Sequence, residues 1–150
     1  MITSTHILFW HGIFSNWYPV DGNDWTTSEK IFMIEKAKIF SDLKAVGKIA
    51  LCKHPRECKA EGRKIKNYTD EVWFEHRMDA MLTALWWKVG ACEEFKEALI
   101  DSGDRILVEA SPADSIWGIG YNELTAMSNQ ESWGLNLLGK ALMETRERLL

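Results

Sequence analysis

The spacing of apolar residues along the chain predicts a mainly helical protein. In several segments apolar side chains recur every three or four positions, which is the spacing that gives a helix one apolar face. The helices predicted on this basis cover residues 28–40, 42–51, 69–90, 93–100 and 136–149, and a further segment lies at about 55–66. The segment 69–90 is the longest, and Gly103 fits a C-cap after the helix at 93–100.

Two short segments have the composition of β-strands. HILFW at residues 6–10 is apolar, and RILVEAS at residues 105–111 alternates between apolar and polar positions. A chain of 150 residues most often forms one domain. We therefore predict a mainly α, compact, multihelical single domain over residues 1–150 with a small β-sheet.

The longest helix has two neighbouring faces that differ in character. One is predicted to face the core, with apolar residues at helical spacing: Phe74, Met78, Met81, Leu82, Leu85 and Val89. The other combines aromatic, cationic and small residues: Trp73, Arg77, Ala80, Ala84 and Lys88. This second face is either an aromatic and cationic wall for a ligand or an exposed surface with one buried tryptophan.

The segment SEKIFMIEKAKIF at residues 28–40 carries two ionisable side chains on an otherwise apolar stripe. Glu29 and Lys36 lie about 20° apart around the helix and about 10 Å apart along its axis. Burial disfavours the ammonium form of a lysine and lowers its pKa. A neutral amine is a nucleophile, so Lys36 is a candidate catalytic residue.

Both charged residues also have purely structural interpretations. Thr26 to Glu29 fits a capping box, which by itself accounts for a glutamate at this position. Lys36 could extend its amine to the surface along an apolar stem. Taken without other information, the helix favours these structural interpretations, because lysines with a perturbed pKa are the minority.

Two later segments carry further candidate binding residues. The loop after the second strand contains Asp114, Trp117, Gly118 and Gly120, which offer a carboxylate, an indole face and backbone that a ligand can approach. The same residues also suit a tight turn with Asp114 as an Asx cap and Trp117 in the core. Asn136 begins the last helix, either as its N-cap or beside backbone N–H groups that could bind phosphate.

Composition and charge exclude several classes of protein. The 46% hydrophobic and 27% charged content is that of an ordinary globular protein. No apolar run reaches the roughly 18 residues of a membrane helix, and the N-terminus lacks the features of a secretory signal, so we predict a cytoplasmic location. The net charge of −4 argues against extended duplex-DNA binding. One nucleotide could still be held by a few cationic groups, and Arg63 is a possible phosphate contact.

Cysteine and tryptophan content add little that is specific. Cys52, His54 and Cys58 form only half of a zinc-ligand pattern, and a structural zinc ion needs four ligands, so we predict no metal site. The eight tryptophans are mostly expected in the core, although some could stack on a flat heterocycle.

The order of these motifs resembles one protein family. FSNWYP, SEKIFMIEKAKIFSD, LVEASPADSIWGIGY and GLNLLGKALMETRERL together resemble the NADAR family (NAD- and ADP-ribose-associated), also called YbiA-like N-glycosidases. The resemblance covers residues 7–149, and its most specific elements are DxxWGxG and GxNLLGKxLMxxR. It implies a YbiA-like fold and hydrolysis of N-glycosidic bonds without a cofactor. The associated substrates are phosphoribosylated intermediates of riboflavin biosynthesis and ADP-ribose attached to guanine.

The resemblance also implies roles for individual residues. Lys36 attacks the anomeric carbon of the sugar and forms a Schiff base that water then hydrolyses, while Glu29 and Asp114 share proton transfer and electrostatic support. The predicted substrate-binding residues are Ser15, Asn16, Trp17, Arg63, Trp73, Trp117, Gly118, Gly120 and Asn136. Trp17 stands where the family usually has phenylalanine, and Glu35 where glutamine is common, which bears on ligand specificity more than on chemistry.

The charge and the resemblance together indicate a partner and leave one alternative function. The expected partner is a small nucleotide-like substrate or an ADP-ribosylated base, and the acidic net charge favours a free metabolite over a long nucleic acid. The alternative function is a non-catalytic ADP-ribose or nucleotide-binding module, since the same pocket could bind a ligand without hydrolysing it.

Overall fold

The computed structural model describes all 150 residues, which group into two compact units. One unit comprises Met1–Ser15 and Glu94–Leu150, and the other comprises Asn16–Glu93. The mainly helical class with a small sheet is confirmed. The single domain over residues 1–150 remains a prediction from chain length and resemblance.

The Asn16–Glu93 unit is built from four helices. They are α1 (Ser28–Ile39), α2 (Leu43–Leu51), α3 (Pro55–Gly62) and α4 (Asp70–Ala91). Helix α1 contacts all three of the others, so it lies at the centre of this unit. Its central position explains why α1 is apolar on more than one face.

Each of these four helices begins at a side-chain cap. The N-cap residues accept a hydrogen bond from a backbone N–H in the first turn, which satisfies a donor that the helix leaves unpaired: Thr27, Asp42, His54 and Thr69. In α1 the Thr27 side chain accepts from the backbone N–H of Lys30. Glu29 is therefore the second helical residue and not the third residue of a capping box, so that structural interpretation of Glu29 is wrong.

The other unit contains the sheet and the remaining helices. Strand β1 (His6–Phe9) pairs in parallel with β2 (Ile106–Glu109). The helices of this unit are α5 (Glu93–Asp101), α6 (Glu123–Ala126) and α7 (Leu137–Leu149), and a 3-10 helix covers Met127–Ser132. Sequence periodicity does not predict α6 or the 3-10 helix, because four to six residues are too few to display a helical repeat.

A small apolar core lies on the sheet of this unit. Leu8 of β1 and Val108 of β2 form it together with Ala110, Ile119 and Ala126, all of which are buried. Helix α7 packs directly on β2: a Cβ atom at Gly139 would overlap the carbonyl oxygen of Leu107. The GxNLLGK motif therefore has a packing reason for its second glycine.

The predicted core face of α4 is confirmed at Met81, Leu82 and Leu85, which are buried, and is wrong at Phe74. Phe74 is 54% exposed, whereas Trp73 is 7% and Ala84 and Lys88 are 0% exposed. The face with small and cationic residues is therefore also buried, at Trp73, Ala84 and Lys88. Hydrophobicity did not predict this, because alanine is only weakly apolar and lysine is polar. Small residues nevertheless allow another element to pack closely on the helix.

Two further observations concern membrane-spanning helices and metal ligands. None of the helices combines the length and apolarity that crossing a membrane requires. No group of three or more His, Cys, Asp or Glu side chains is arranged to hold a metal ion. The cysteines near His54 donate to backbone carbonyls of α2, Cys52 to Lys48 at 3.3 Å and Cys58 to Ile49 at 4.0 Å.

Candidate functional site around Lys36

Helix α1 holds Glu29 and Lys36 on its inner side. The Glu29 side chain is buried, with 8% of its surface exposed, and Lys36 is half-buried. The Lys36 Nζ donates a hydrogen bond of 3.0 Å to the carbonyl oxygen of Gly62 at the end of α3. The amine is thus tied to the protein backbone and does not extend into bulk solvent, so the structural interpretation of a surface-seeking lysine does not hold.

Gly62 has a steric reason to be glycine. A Cβ atom there would overlap the Sδ of Met33, which is buried in α1. The absence of a side chain lets α3 end close against α1, which brings the Gly62 carbonyl to the Lys36 amine. The contact between Lys36 and Gly62 results from helix packing, and no sequence motif predicts it.

Two aromatic rings face the amine of Lys36. The Nζ lies 4.9 Å from the centroid of the Tyr68 ring and 5.2 Å from the centroid of the Trp73 ring. Trp73 is buried and packs against Phe32 of α1, with the two ring centroids 5.5 Å apart. Trp73 is a predicted substrate-binding residue, whereas Tyr68 was not identified from the sequence.

Opposing influences act on the Lys36 amine. Its pKa is lowered from the ordinary lysine value, mainly because burial disfavours the ammonium ion. The nearby carboxylate of Glu29 acts in the opposite direction, and the guanidinium of Arg63 lowers the pKa further. The amine is therefore neutral in a larger share of molecules at neutral pH than an exposed lysine would be.

Asn16 organises the start of α1. Its backbone carbonyl accepts from the Glu29 N–H at 3.0 Å, and its Oδ1 accepts from the Ser28 hydroxyl at 2.8 Å. Its Nδ2 donates to the Met81 Sδ at 3.3 Å, so the amide links α1 to α4. Asn16 is 8% exposed and acts here as a support for Glu29.

Trp17 follows Asn16 and is 42% exposed. Its ring meets the ring of His54 edge-on, with centroids 5.7 Å apart. Trp17 therefore remains a predicted stacking residue, on the basis of its aromatic side chain and its exposure.

In the other unit, Asp114 closes its own loop. Its Oδ1 accepts from the backbone N–H groups of Ile116 and Trp117, each at 2.9 Å. This is the Asx cap that the sequence allowed as one alternative. The second carboxylate oxygen is not part of that pair of hydrogen bonds, so the cap leaves Asp114 with an acceptor for another donor.

The glycines after Trp117 are required by close packing within the loop. A Cβ atom at Gly118 would lie 2.8 Å from the Glu109 carbonyl oxygen and 2.9 Å from that of Asp114. Gly120 has a φ of +78°, which few other residues adopt. Their contribution to ligand binding remains a prediction.

Asn136 and Ser15 have defined structural partners. Asn136 has a left-handed backbone with a φ of +51° and makes no side-chain cap to α7. Its amide instead bridges β2, accepting from Glu109 N–H and donating to Leu107 C=O, both at 3.0 Å. Ser15 is buried, and its N–H donates to Gly12 C=O at 2.9 Å. The Asn136 side chain is therefore occupied by the strand.

Lys88, which the sequence placed on the mixed face of α4 without a catalytic role, is a second lysine removed from solvent. It is 0% exposed, and its Nζ lies 5.5 Å from the centroid of the Tyr18 ring. Burial lowers its pKa to about 7, and the neighbouring Cys92 acts in the opposite direction. Lys88 is fully enclosed, in contrast to the half-buried Lys36.

Comparison with known proteins identifies the family. Residues 8–150 match the family model described as the NADAR domain. An N-glycosidase of Acanthamoeba polyphaga mimivirus is 32% identical over 93% of this chain and 94% of its own. The NMR structure of the E. coli protein YbiA matches with a TM-score of 0.74 at 30% identity, covering 99% of this chain and 87% of that one.

A riboflavin biosynthesis protein of Zea mays is 31% identical over 93% of this chain, which spans 23% of that longer protein. The expected class of enzyme, a hydrolase acting on N-glycosyl compounds, is confirmed by the relatives named as N-glycosidases. The chain belongs to the NADAR domain family.

Proposed function

We propose that this chain hydrolyses the N-glycosidic bond of a nucleotide-like substrate through a Schiff base on Lys36. The substrate is either ADP-ribose attached to guanine or a phosphoribosylated intermediate of riboflavin biosynthesis. The observation that carries the proposal is the half-buried Lys36 amine, held by a backbone carbonyl beside Glu29 and Arg63. An amine with a lowered pKa and a carboxylate whose charge acts on that amine are thereby both available.

The chemical steps follow from these groups. The neutral Lys36 nitrogen bonds to the anomeric carbon as the bond from that carbon to the base nitrogen breaks, and the departing base takes up a proton. The carboxylate of Glu29 stabilises the oxocarbenium-like charge that develops during this exchange. The lysine nitrogen then loses its proton, and the sugar ring opens to give the imine. Water adds to the imine carbon, and expulsion of the amine releases the sugar.

Other residues are assigned to binding. Arg63 is exposed and close enough to influence Lys36, so it is the candidate contact for a substrate phosphate. Trp17, Trp73 and Trp117 offer indole faces for the base or the ribose. The proton taken up by the departing base comes from the acid form of Glu29 or, alternatively, of Asp114; the family resemblance leaves proton transfer and electrostatic support interchangeable between these two groups.

Borohydride trapping tests the covalent step. Reduction of the imine in the presence of substrate should add the mass of the opened sugar to the peptide that contains Lys36, as measured by mass spectrometry. Lys36→Ala should lose turnover by at least a thousandfold, as expected when a covalent nucleophile is removed. Lys38→Ala is the matched control, since Lys38 is an exposed lysine of the same helix paired with Glu35.

Two results would count against the proposal in different ways. Full turnover by Lys36→Ala without any adduct in the wild type would exclude the lysine mechanism. Tight binding of ADP-ribose without release of base, even at high enzyme concentration, would favour the non-catalytic binding module. Assaying both substrate types side by side for released base and sugar identifies which one the chain prefers.

A further inference from the structure

Tyr68 encloses the Lys36 amine from the solvent side. Of the two rings that face the Nζ, Trp73 is 7% exposed, whereas Tyr68 is 38% exposed. The Gly62 carbonyl occupies a third direction around the amine. Tyr68 is therefore the outer wall of this small enclosure, and its removal would open the amine to water.

The position of Tyr68 follows from the start of α4. Thr69 is the N-cap of that helix, and its side chain accepts from the Val72 N–H. Tyr68 is thus the residue before the cap and Trp73 the fourth helical residue, the two positions that pack together in a hydrophobic staple. In this chain the staple positions supply both rings that face the amine.

Further contacts fix the orientation of the Tyr68 ring. Its hydroxyl donates to the Asp70 Oδ1 at 2.8 Å, and its ring lies 5.2 Å from the ring of Phe40 at the end of α1. Asn67, directly before it, has a left-handed backbone with a φ of +65°. A ring held by a hydrogen bond at its tip and a second ring at its side is an ordered wall and not a mobile surface residue.

We propose that Tyr68 is a positioning residue for Lys36, whose ring fixes the lysine amine and shields it from water. The inference deepens the proposed function and rests on it for its catalytic meaning, since Tyr68 acts through Lys36. An ordered wall keeps the nucleophile in one orientation.

Two effects of the ring oppose each other, and their sizes decide the outcome. The aromatic face stabilises an ammonium ion by about 0.5–1 kcal/mol at a partly exposed site. Exclusion of water destabilises the ammonium ion, and burial is the largest influence on the Lys36 pKa. Removing the ring therefore raises the pKa of Lys36, because the amine regains water.

The charged surroundings of the amine are defined on each side. Helix α1 contributes Glu29, and the residue after α3 contributes Arg63. Just before α4, Tyr68 is itself titratable. Burial and then Asp70 raise its pKa, while Arg77 acts in the opposite direction. No charged group of α2 is among the influences on Lys36.

Trace acetylation across a pH series measures the Lys36 amine without any substrate. The full-length protein is labelled with acetic anhydride, and the Lys36 peptide is quantified by mass spectrometry for wild type, Tyr68→Ala and Tyr68→Phe. We expect the midpoint of the Lys36 labelling profile to rise by about 0.5–1 pH unit in Tyr68→Ala, which corresponds to a three- to tenfold loss of neutral amine at pH 7.5. Tyr68→Phe keeps the ring and should retain the wild-type profile.

Controls separate shielding from general damage to the fold. Phe74→Ala removes an exposed ring of α4 that stacks on Arg77 and not on Lys36, so its labelling profile should match the wild type. If thermal unfolding shows that Tyr68→Ala is unfolded, Tyr68→Leu takes its place, because leucine keeps apolar volume at this position. Its expected profile lies between those of Tyr68→Ala and the wild type.

The outcomes discriminate clearly. An unchanged or lowered labelling midpoint in Tyr68→Ala, or in Tyr68→Leu where that replaces it, would overturn the inference. Equal effects of Tyr68→Phe and Tyr68→Ala would also overturn it, because the hydroxyl and not the ring would be responsible. If Tyr68→Ala shows the expected shift but the wild type releases no base from either substrate, shielding by Tyr68 holds and the proposed function is wrong.

Discussion

At the scale of single residues, two lysines of the Asn16–Glu93 unit are held away from water but differ in access. Lys36 is half-buried beside Tyr68, Trp73 and Gly62, whereas Lys88 is wholly enclosed. A lowered pKa has a chemical use only where a substrate can reach the amine. The same physical effect therefore indicates a nucleophile at one position and a structural group at the other.

The activity should reflect the amine of Lys36 in its pH dependence. Since burial lowers its pKa, the neutral fraction rises at a lower pH than for an ordinary lysine. We expect the rising limb of kcat/KM against pH to have its midpoint below 10.5, the ordinary lysine value. A midpoint at or above that value would show that the amine is not shielded during turnover.

Lys88 should make stability depend on pH. With a folded-state pKa of about 7 and an ordinary value of 10.5, the unfolded chain binds the extra proton between these limits. The contribution of Lys88 to the free energy of unfolding therefore rises from pH 7 toward 10.5 and is constant below pH 7. Urea titrations should show that the free energy of unfolding of the wild type, relative to that of Lys88→Met, rises over this range. Lys48→Met, at an exposed site, is the control for loss of a lysine, and a difference independent of pH would contradict the assignment.

Sequence reasoning located the residues that carry charge but not their surroundings. Helical spacing was enough to bring Glu29 and Lys36 to the same side of α1. Tyr68 was missed although it precedes a Thr-Asp helix start and stands five residues before Trp73, a spacing that predicts a staple. Gly62 could not be found at all, because its contact depends on how α3 ends against α1.

At the scale of elements, helix boundaries were predictable and helix rotation was not. The first helix ends at Ile39 and α4 at Ala91, each within one residue of the prediction. The buried face of α4 was predicted only in part: it includes Met81, Leu82 and Leu85 as expected, but it also includes Ala84 and Lys88 and excludes Phe74. Packing partners decide which face is buried, and a single helix does not contain that information.

Two glycines in helices should respond oppositely to alanine. Gly47 in α2 has no atom within 4 Å of an added Cβ, so Gly47→Ala should raise the free energy of unfolding by about 1 kcal/mol. At Gly139 the added carbon would overlap backbone of β2, so Gly139→Ala should lower it by about 2–4 kcal/mol. Urea unfolding of both variants checks this, and equal effects would mean that α7 does not pack closely on β2.

At the scale of the whole molecule, charge is segregated along the chain. Residues 38–66 contain nine lysine and arginine residues, all exposed, against three acidic residues, although the net charge of the chain is −4. Lys38 and Lys64 are paired with neighbouring glutamates. The argument from net charge toward a free metabolite is therefore weaker than the sequence total suggests, because the acidic residues lie mostly elsewhere in the chain.

Charge reversal should separate the two substrate classes. In a variant with Lys44→Glu, Lys48→Glu and Lys59→Glu, we expect kcat/KM for an ADP-ribosylated oligonucleotide to fall on the order of tenfold at low salt, since a strand offers many phosphates. A phosphoribosylated metabolite should be affected less than threefold, because short-range contacts dominate its binding. Lys96→Glu with Lys140→Glu, outside residues 38–66, is the control. Equal losses on both substrates would contradict this expectation.

The parallel pairing of β1 with β2 has a consequence for synthesis of the chain. His6 pairs with Ile106, so 100 positions separate the first strand from its partner. At a translation rate of about 5–20 residues per second, β1 waits roughly 5–20 seconds on the ribosome before β2 is made. During that interval the apolar segment HILFW is available to chaperones and to other nascent chains. An N-terminal fusion that binds this segment would therefore compete with β2 for pairing with β1.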